Sequence, residues 1–153
     1  MLFYLNMKNI LAAFLLIFFG GSIVFAQGAK RDEKIASEIR RVMDAQVMAW
    51  NGGDIDGFMR GYWNSPNLVF VSGDNVTKGW QPTTDRYKKN YNSRAKMGVL
   101  TFSGLQIDVL SKDSATVLGS WALAQVKDNP HGKFTLIFRK FKDGWRIVHD
   151  HTS

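Results

Sequence analysis

The 153-residue sequence contains no cysteine, and this absence excludes several kinds of protein chemistry. No disulfide can stabilise the chain, and no thiol can act as a nucleophile or a metal ligand. Attachment of a bacterial lipid anchor is excluded too, because it requires a cysteine at the cleavage site. Also absent are a glycine-rich phosphate loop and the nucleophile elbow of serine hydrolases. Stability must therefore come from a packed core.

Concentrated charge is also missing, although the formal net charge is +7. The basic residues are scattered along the chain and do not form one arm or motif. Nucleic-acid binding needs a basic patch that follows the phosphate backbone, so nucleic acid is not expected as a partner. Attraction to an anionic ligand stays open.

One long apolar run is present near the start of the chain. It lies between Lys8 and the small residues that lead to Val24-Phe25-Ala26, and it reads ILAAFLLIFF over residues 10–19. A basic start, a short apolar run and small residues at the cleavage positions predict a signal peptide over residues 1–26. The competing interpretation is a membrane anchor, but the run is shorter than the ~20 residues that a spanning helix needs. We expect a secreted or periplasmic protein, cut after Ala26, without a stable membrane anchor.

The rest of the chain predicts one domain over residues 32–153, after a short linker at residues 27–31. An apolar stripe predicts a helix from Lys30 to Asn51, stopped by Gly52-Gly53. Asp54 is expected to cap a short second helix, and Thr83 or Thr84 a third helix over Pro82–Arg94. A strand is expected at residues 67–72, and long strands follow at residues 99–110, 115–126 and 133–141. Glycines at positions 104 and 119 predict bulges or bends, and hence a curved sheet.

The last segment predicts a hairpin that turns at Asp143-Gly144. Strict alternation in its second strand places His149 and His151 on one face, with Trp145 and Ile147, and Asp150 on the other face. Two imidazoles and a carboxylate are candidate acid–base groups, so Asp150, His149 and His151 are the candidate catalytic residues. The structural alternative is that these groups are satisfied by backbone and by neighbouring arginines. No third ligand accompanies the two histidines, so neither a metal nor a cofactor is expected.

The order of these elements resembles the nuclear transport factor 2-like superfamily over about residues 32–153. Within it, the chain is most similar to the SnoaL-like proteins, the domain of unknown function 4440 group and the association domain of calcium/calmodulin-dependent kinase. The resemblance rests on Trp50-Asn51, on Asp54 and on the ending WRIVHDHTS, which is similar to the association domain's W-x-x-V-H-x-H-x-S.

The resemblance implies an α+β fold, in which a curved antiparallel sheet wraps around the long first helix in a cone and leaves an apolar pocket. It also implies a homodimer formed through the sheet. The outer face is expected to expose Phe134, Phe138 and one of the two sets of alternate residues on the last strand, either the set with Trp145 or the set with Val148. This apolar surface is large enough to need a partner. The aspartate and tyrosine of ketosteroid isomerases have no matching positions, so steroid isomerisation is not expected.

The pocket is expected to bind a small molecule that is anionic or aromatic. Its expected lining is aromatic apart from one arginine that could hold an anionic group: Trp50, Phe58, Trp63, Trp80, Tyr87, Tyr91, Trp121 and Arg139. Two functions stay open. The first is ligand binding without catalysis. The alternative is an isomerase, cyclase or dehydratase that uses the C-terminal Asp/His group as its base, with Tyr87 or Arg139 stabilising the oxyanion.

Overall fold

A computed structural model describes residues 7–153, with side chains from residue 27 onward. The predicted signal peptide lies outside the residues whose side chains are described. Within the described part of the chain, no helix is long and apolar enough to cross a membrane. The chain divides into two compact units, whose boundary falls between Lys34 and Ile35.

The chain forms four helices and six strands in the described residues. The helices are α1 (Met7–Asn51), α2 (Ile55–Met59), α3 (Trp80–Asn90) and α4 (Arg94–Met97). The strands are β1 (Val69–Ser72), β2 (Asn75–Lys78), β3 (Val99–Ser111), β4 (Ser114–Ala124), β5 (His131–Phe141) and β6 (Gly144–Thr152). The predicted α+β class, with a long helix and a curved sheet, is confirmed.

The six strands form one sheet in the order β2-β1-β6-β5-β4-β3. Strands β3 to β6 make the long antiparallel meander that the sequence predicts, whereas β1 pairs with β6 in parallel. The hairpin partner of β1, strand β2, is not among the predicted strands. The parallel pairing brings Phe70 of β1 into register with Asp150 of β6. Residues far apart in sequence are therefore neighbours at the centre of the sheet.

The second half of α1 packs its apolar stripe into the core. Ile39, Met43 and Trp50 are buried, and Gln46 is buried between them. These positions recur at spacings of three and four residues, as one face of a helix requires. The Gln46 amide satisfies part of its hydrogen-bonding capacity by donating to the Phe58 carbonyl at 3.1 Å.

The end of α1 is tied to the start of β3 by side chains. Asn51 accepts a hydrogen bond from the Leu100 backbone N–H at 2.8 Å and donates one to the Leu100 carbonyl at 3.1 Å. The guanidinium of Arg94 donates to the carbonyls of Trp50 and Asn51, both at 2.9 Å. These carbonyls lie in the last turn of the helix, which leaves such groups without helical partners. The Trp50-Asn51 pair is thus a junction between helix and sheet.

One local prediction needs correction. Thr83 and Thr84 do not cap α3, because it begins at Trp80. Both hydroxyls instead donate back to carbonyls four residues earlier, at 2.8 Å. Gly104 has φ 61° and lies at the register shift between β3 and β4, where Gly104 and Leu105 lie opposite Gly119, as a bulge requires. Toward β5, Gly119 pairs in register with Phe134. A Cβ at Gly119 would lie 2.5 Å from the Phe134 ring, so this glycine makes room for a core aromatic residue.

The C-terminal hairpin forms, but its turn and its alternation differ from the prediction. The turn residues are Lys142 and Asp143, and Gly144, with φ 118°, already pairs with Phe141. Strict alternation fails because Phe138 pairs with Ile147, while Ile137 pairs with His149. Val148 is therefore an extra residue, a β-bulge. After it the inward positions change parity, and Asp150 is buried on the same side as Trp145 and Ile147.

The expected outer face of the sheet also needs correction. Phe134, Phe138 and Trp145, which were expected to be exposed, belong to the buried core. The apolar side chains that are exposed on β4 and β5 are Leu118 and Ile137, with 45% and 36% exposure.

Candidate functional site

A cavity of about 170 Å³ lies between the helices and the inner face of the sheet. Its apolar lining comes from α1, α2, α3 and the sheet, and its polar groups are few. The lining residues are Gln46, Trp50, Phe58, Tyr62, Phe70, Ser72, Arg86, Tyr87, Asn90, Tyr91, Leu100, Phe102, Trp121, Leu123, Phe134, Leu136, Ile147, Asp150 and Thr152. A mostly apolar cavity with a few placed polar groups is typical of small-molecule sites.

Aromatic rings form the helical side of the cavity. Trp50 lies edge-on to Phe58, with centroids 5.1 Å apart, and edge-on to Tyr91 at 4.8 Å. Tyr87 and Tyr91, four residues apart on α3, are stacked with centroids 5.9 Å apart. The Trp50 indole N–H donates to the Met97 carbonyl at 3.0 Å, which fixes its ring. Interlocked rings of this kind make a rigid wall.

Asp150 is the charged group at the floor of this cavity. Its side chain is buried, with 4% of the residue exposed. The Tyr62 hydroxyl donates to Oδ2 at 2.7 Å, whereas Oδ1 has no hydrogen-bond partner in the described part of the chain. Buried polar atoms are almost always satisfied, so an unsatisfied one in a cavity often marks functional chemistry.

Burial controls the ionisation of this group. Loss of solvation raises the pKa of Asp150 to about 7, and the hydrogen bond from Tyr62 opposes the rise. Burial raises the pKa of Tyr62 and of Tyr87 well above the usual value, and the nearby Asp150 carboxylate raises both further. Both hydroxyls therefore keep their protons when Asp150 ionises. A carboxyl that titrates near neutrality beside protonated hydroxyls can transfer protons at physiological pH.

A positive charge completes the site. Arg86 of α3 lines the cavity, and its guanidinium carbon lies 5.1 Å from the centroid of the Phe70 ring. Ser72, Asn90 and Thr152 add neutral hydrogen-bonding groups to the lining. Among the described residues, no group of three or more His, Asp or Glu side chains could hold a metal ion.

The structure brings together five of the eight residues expected to bind ligand: Trp50, Phe58, Tyr87, Tyr91 and Trp121. The other three do not line the cavity. Trp63 stacks on Phe141 with centroids 5.4 Å apart, Trp80 donates its indole N–H to the Met59 carbonyl at 3.0 Å, and Arg139 is an exposed residue of β5.

The three candidate catalytic residues separate. Asp150 faces the cavity, whereas His149 is half-buried and His151 is exposed, and neither lines the cavity. Sequence reasoning did not identify Tyr62 or Arg86 as site residues. The signal for Tyr62 was its place at the end of the apolar stripe of α2. Arg86 gave a weaker signal, as the residue next to Tyr87.

A curved sheet packed against a long helix, with an aromatic cavity and a buried carboxyl, defines an α+β domain of the NTF2-like class. The family model of the SnoaL-like domain matches residues 39–153, and the chain belongs to this family. It is similar to an NTF2-like protein of unknown function from Shewanella oneidensis MR-1, with 39% identity and a TM-score of 0.74. The match covers 77% of this chain and 98% of the other.

Two more distant solved structures share the fold alone. One is a candidate scytalone dehydratase from Novosphingobium aromaticivorans, with 11% identity and a TM-score of 0.68, covering 81% of this chain and 86% of the other. The other is a candidate calcium/calmodulin-dependent protein kinase II association domain from Xanthomonas campestris, with 15% identity and a TM-score of 0.62, covering 76% and 84%. No protein with curated function matches this chain.

Proposed function

We propose that this protein is an acid–base enzyme of the isomerase, cyclase or dehydratase type, with Asp150 as its proton-transferring group. The observation that carries the proposal is the buried Oδ1 of Asp150, which has no hydrogen-bond partner among the described residues although Asp150 belongs to the cavity lining. A purely structural carboxyl in such a place would be expected to have both oxygens satisfied. A catalytic base instead needs one free oxygen within reach of the substrate proton.

The proton-transfer step follows from this geometry. Ionised Asp150 takes a proton from a carbon next to a carbonyl group. The C–H electron pair forms a carbon–carbon double bond, and the π pair of the carbonyl group moves to its oxygen, which gives an enolate. In this proposal the Tyr87 hydroxyl, which stays protonated and belongs to the cavity lining, donates a hydrogen bond to that oxygen. Asp150 then returns a proton to the same or another carbon of the enolate, so the step needs no oxidant or reductant, and deuterium enters the product when the Asp150 proton exchanges with D₂O before it is returned. Hydrogen bonds to a developing oxyanion are usually a large part of such catalysis.

The size of the cavity limits the substrate. Apolar cavities of about 150 Å³ accommodate benzene, so the 170 Å³ cavity fits one ring of similar size. Its aromatic walls favour an unsaturated or aromatic ring. Ligand binding without proton transfer is the competing function, and it uses the same cavity.

The test is deuterium exchange from D₂O into the acidic C–H positions of cyclohex-2-enone and phenylpyruvate, followed by proton NMR. We expect exchange that is catalysed by the natural protein and abolished by Asp150→Asn, which keeps the shape of the side chain. Asp108→Asn, at an exposed position of β3, is the matched control. Equal exchange with the natural protein and with Asp150→Asn would overturn the catalytic role and leave ligand binding as the function.

We also propose a homodimer formed through the outer face of β4 and β5. Leu118 and Ile137 are exposed on adjacent strands, and their cross-strand partners are the uncharged Thr135 and Thr116. Sedimentation at micromolar concentration should show a dimer that Ile137→Glu dissociates, whereas Leu110→Glu at the end of β3 should not. A natural protein that sediments only as a monomer would contradict the proposal.

Export remains a proposal that rests on the sequence pattern of residues 1–26. Cleavage after Ala26 gives a mature chain that begins at Gln27. Mass spectrometry of the N-terminus after expression in a bacterium with a periplasm tests it, and an uncut chain in the membrane fraction would contradict it.

A further inference from the structure

Arg86 is a cation inside the candidate site that the proposed proton transfer does not use. Its side chain is half-buried and lines the cavity, and it forms no ion pair with a carboxylate among residues 27–153. Asp85, its neighbour in sequence, instead accepts a hydrogen bond from Gln81 at 2.9 Å. A half-buried guanidinium without an anionic partner has given up part of its hydration without an ion pair to replace it.

The orientation of Arg86 leaves its donors available. Phe70 supports the guanidinium through the face of its ring, 5.1 Å from the guanidinium carbon. A cation–π contact of this kind uses the face of the aromatic ring and leaves the N–H groups free to bind a carboxylate. Phe70 also pairs in register with Asp150 across β1 and β6. Phe70 is therefore a neighbour of both the guanidinium and the strand position of Asp150.

The charge of the cavity selects an anion. From α3 it receives the positive Arg86 and the neutral hydroxyls of Tyr87 and Tyr91. From the segment after α2 it receives the neutral Tyr62, and from β6 the carboxyl of Asp150. The cavity therefore has a charge of +1 while Asp150 holds its proton, and a charge near zero once Asp150 ionises. Arg86 is the one lysine or arginine in the lining, so a ligand with a single anionic group matches it.

Resting on the proposed function, we propose that the natural ligand is a single-ring or similarly flat monocarboxylate, whose carboxylate pairs with Arg86 while its ring lies among Trp50, Phe58 and Tyr91. Arg86 is then the specificity-determining residue, and it fills the role that the sequence suggested for Arg139. A guanidinium binds a carboxylate through two parallel N–H donors, which fixes the direction of the ring as well as its presence.

The test compares benzoate with benzyl alcohol, a neutral compound of similar size, by quenching of tryptophan fluorescence at pH 6. Trp50 and Trp121 line the cavity and report on ligand. We expect benzoate to bind at least about tenfold more tightly than benzyl alcohol, as a charge-assisted hydrogen bond predicts. Arg86→Met should remove this preference without weakening benzyl alcohol, Arg86→Lys should keep part of it, and Lys89→Met, exposed on the same helix, should leave it unchanged.

The outcomes separate this inference from the proposed function. If both probes bind equally to the natural protein, or if Arg86→Met keeps the preference for benzoate, the role of Arg86 is wrong and the proton transfer by Asp150 stands. If neither probe binds, the single-ring cavity is wrong and both proposals fall. If Arg86→Met loses the preference for benzoate, and Asp150→Asn binds benzoate as the natural protein does but loses deuterium exchange, both proposals hold.

Discussion

The Tyr62 hydroxyl donates a 2.7 Å hydrogen bond to Oδ2 of Asp150, although 88 residues of sequence separate them. Tyr62 is positioned just after α2 by a bridge to Ile147 of β6, and Asp150 follows three residues later on that strand. The pair holds one carboxyl oxygen and leaves the other buried without a hydrogen-bond partner in the described part of the chain. It therefore decides both the orientation and the ionisation of the candidate catalytic group.

The first prediction concerns the pH dependence of stability. The unfolded chain releases the Asp150 proton near pH 3.8, whereas the folded chain holds it until about pH 7. The free energy of unfolding must therefore fall as the pH rises through this window, by up to about 4 kcal/mol. Asp150→Asn cannot ionise, so its stability relative to the natural protein should rise between pH 4 and pH 7 and stay constant above.

Urea unfolding at pH 4, 6 and 8 measures this difference. The exposed Asp108→Asn substitution should change stability by little at each pH, because its side chain is solvated in both states. A difference between Asp150→Asn and the natural protein that does not vary with pH would show that Asp150 titrates as an ordinary surface carboxyl.

The second prediction concerns Tyr62. Its hydrogen bond favours the ionised carboxylate and so lowers the pKa of Asp150 against the effect of burial. Tyr62→Phe should therefore raise the pKa of Asp150 above its value in the natural protein, and should reduce stability above pH 7 by about 2 kcal/mol. Any exchange activity that needs ionised Asp150 should move to higher pH by the same amount as the pKa.

A carbon-13 NMR titration of the Asp150 carboxyl gives the pKa directly. Tyr91→Phe is the matched control, because Tyr91 lines the same cavity but makes no hydrogen bond to Asp150. Equal pKa values of Asp150 in the two variants would assign the effect to the cavity in general and not to the Tyr62 hydroxyl.

Local patterns in the sequence predicted three features: the helix with an apolar stripe that ends at Asn51, the Asp54 cap and the long strands. Asp54 indeed accepts from the Gly57 N–H at 2.7 Å. The helical wall of the site could also be predicted, since Trp50, Phe58, Tyr87 and Tyr91 all follow helical spacing. Their place in the cavity did not depend on any long-range pairing.

What could not be predicted depends on pairing between distant segments. The parallel contact of β1 with β6, which places Phe70 beside Asp150, leaves no local pattern in either strand. The bulge at Val148 has no glycine to mark it, so alternation gave the wrong partners for Asp150. Arg139 and Arg86 are equally plausible as anion-binding residues in the sequence, and only the faces of β5 and α3 distinguish them.

The third prediction concerns the junction at the end of α1. Asn51 makes two hydrogen bonds to the backbone of Leu100, and Leu100 lines the cavity. Asn51→Ala leaves both backbone groups without these partners, so it should lower the free energy of unfolding by about 2 kcal/mol. Thermal and urea unfolding measure the loss. Asn64→Ala, at an exposed position, should lie within about 0.5 kcal/mol of the natural protein, and an equal loss in both variants would contradict the role of the junction.

The last prediction concerns the bulge in β6. Val148 is the extra residue between the pairs Phe138 with Ile147 and Ile137 with His149. Deletion of Val148 should therefore produce a regular strand in which Ile147 and Asp150 still face the core. Only His149 then lies between them, and residues two positions apart on a strand share a face. In that strand Ile147 faces in, His149 faces out and Asp150 faces in. The deletion should leave a folded protein whose Asp150 carboxyl still titrates near pH 7 in the carbon-13 experiment.

Deletion of Arg146 is the matched control. It would put Trp145 and Ile147, both of which are buried, on opposite faces of the strand, and should prevent folding. A Val148 deletion that folds but shows Asp150 titrating as an exposed carboxyl would mean that the bulge, and not the pairing with Leu136, directs Asp150 into the cavity.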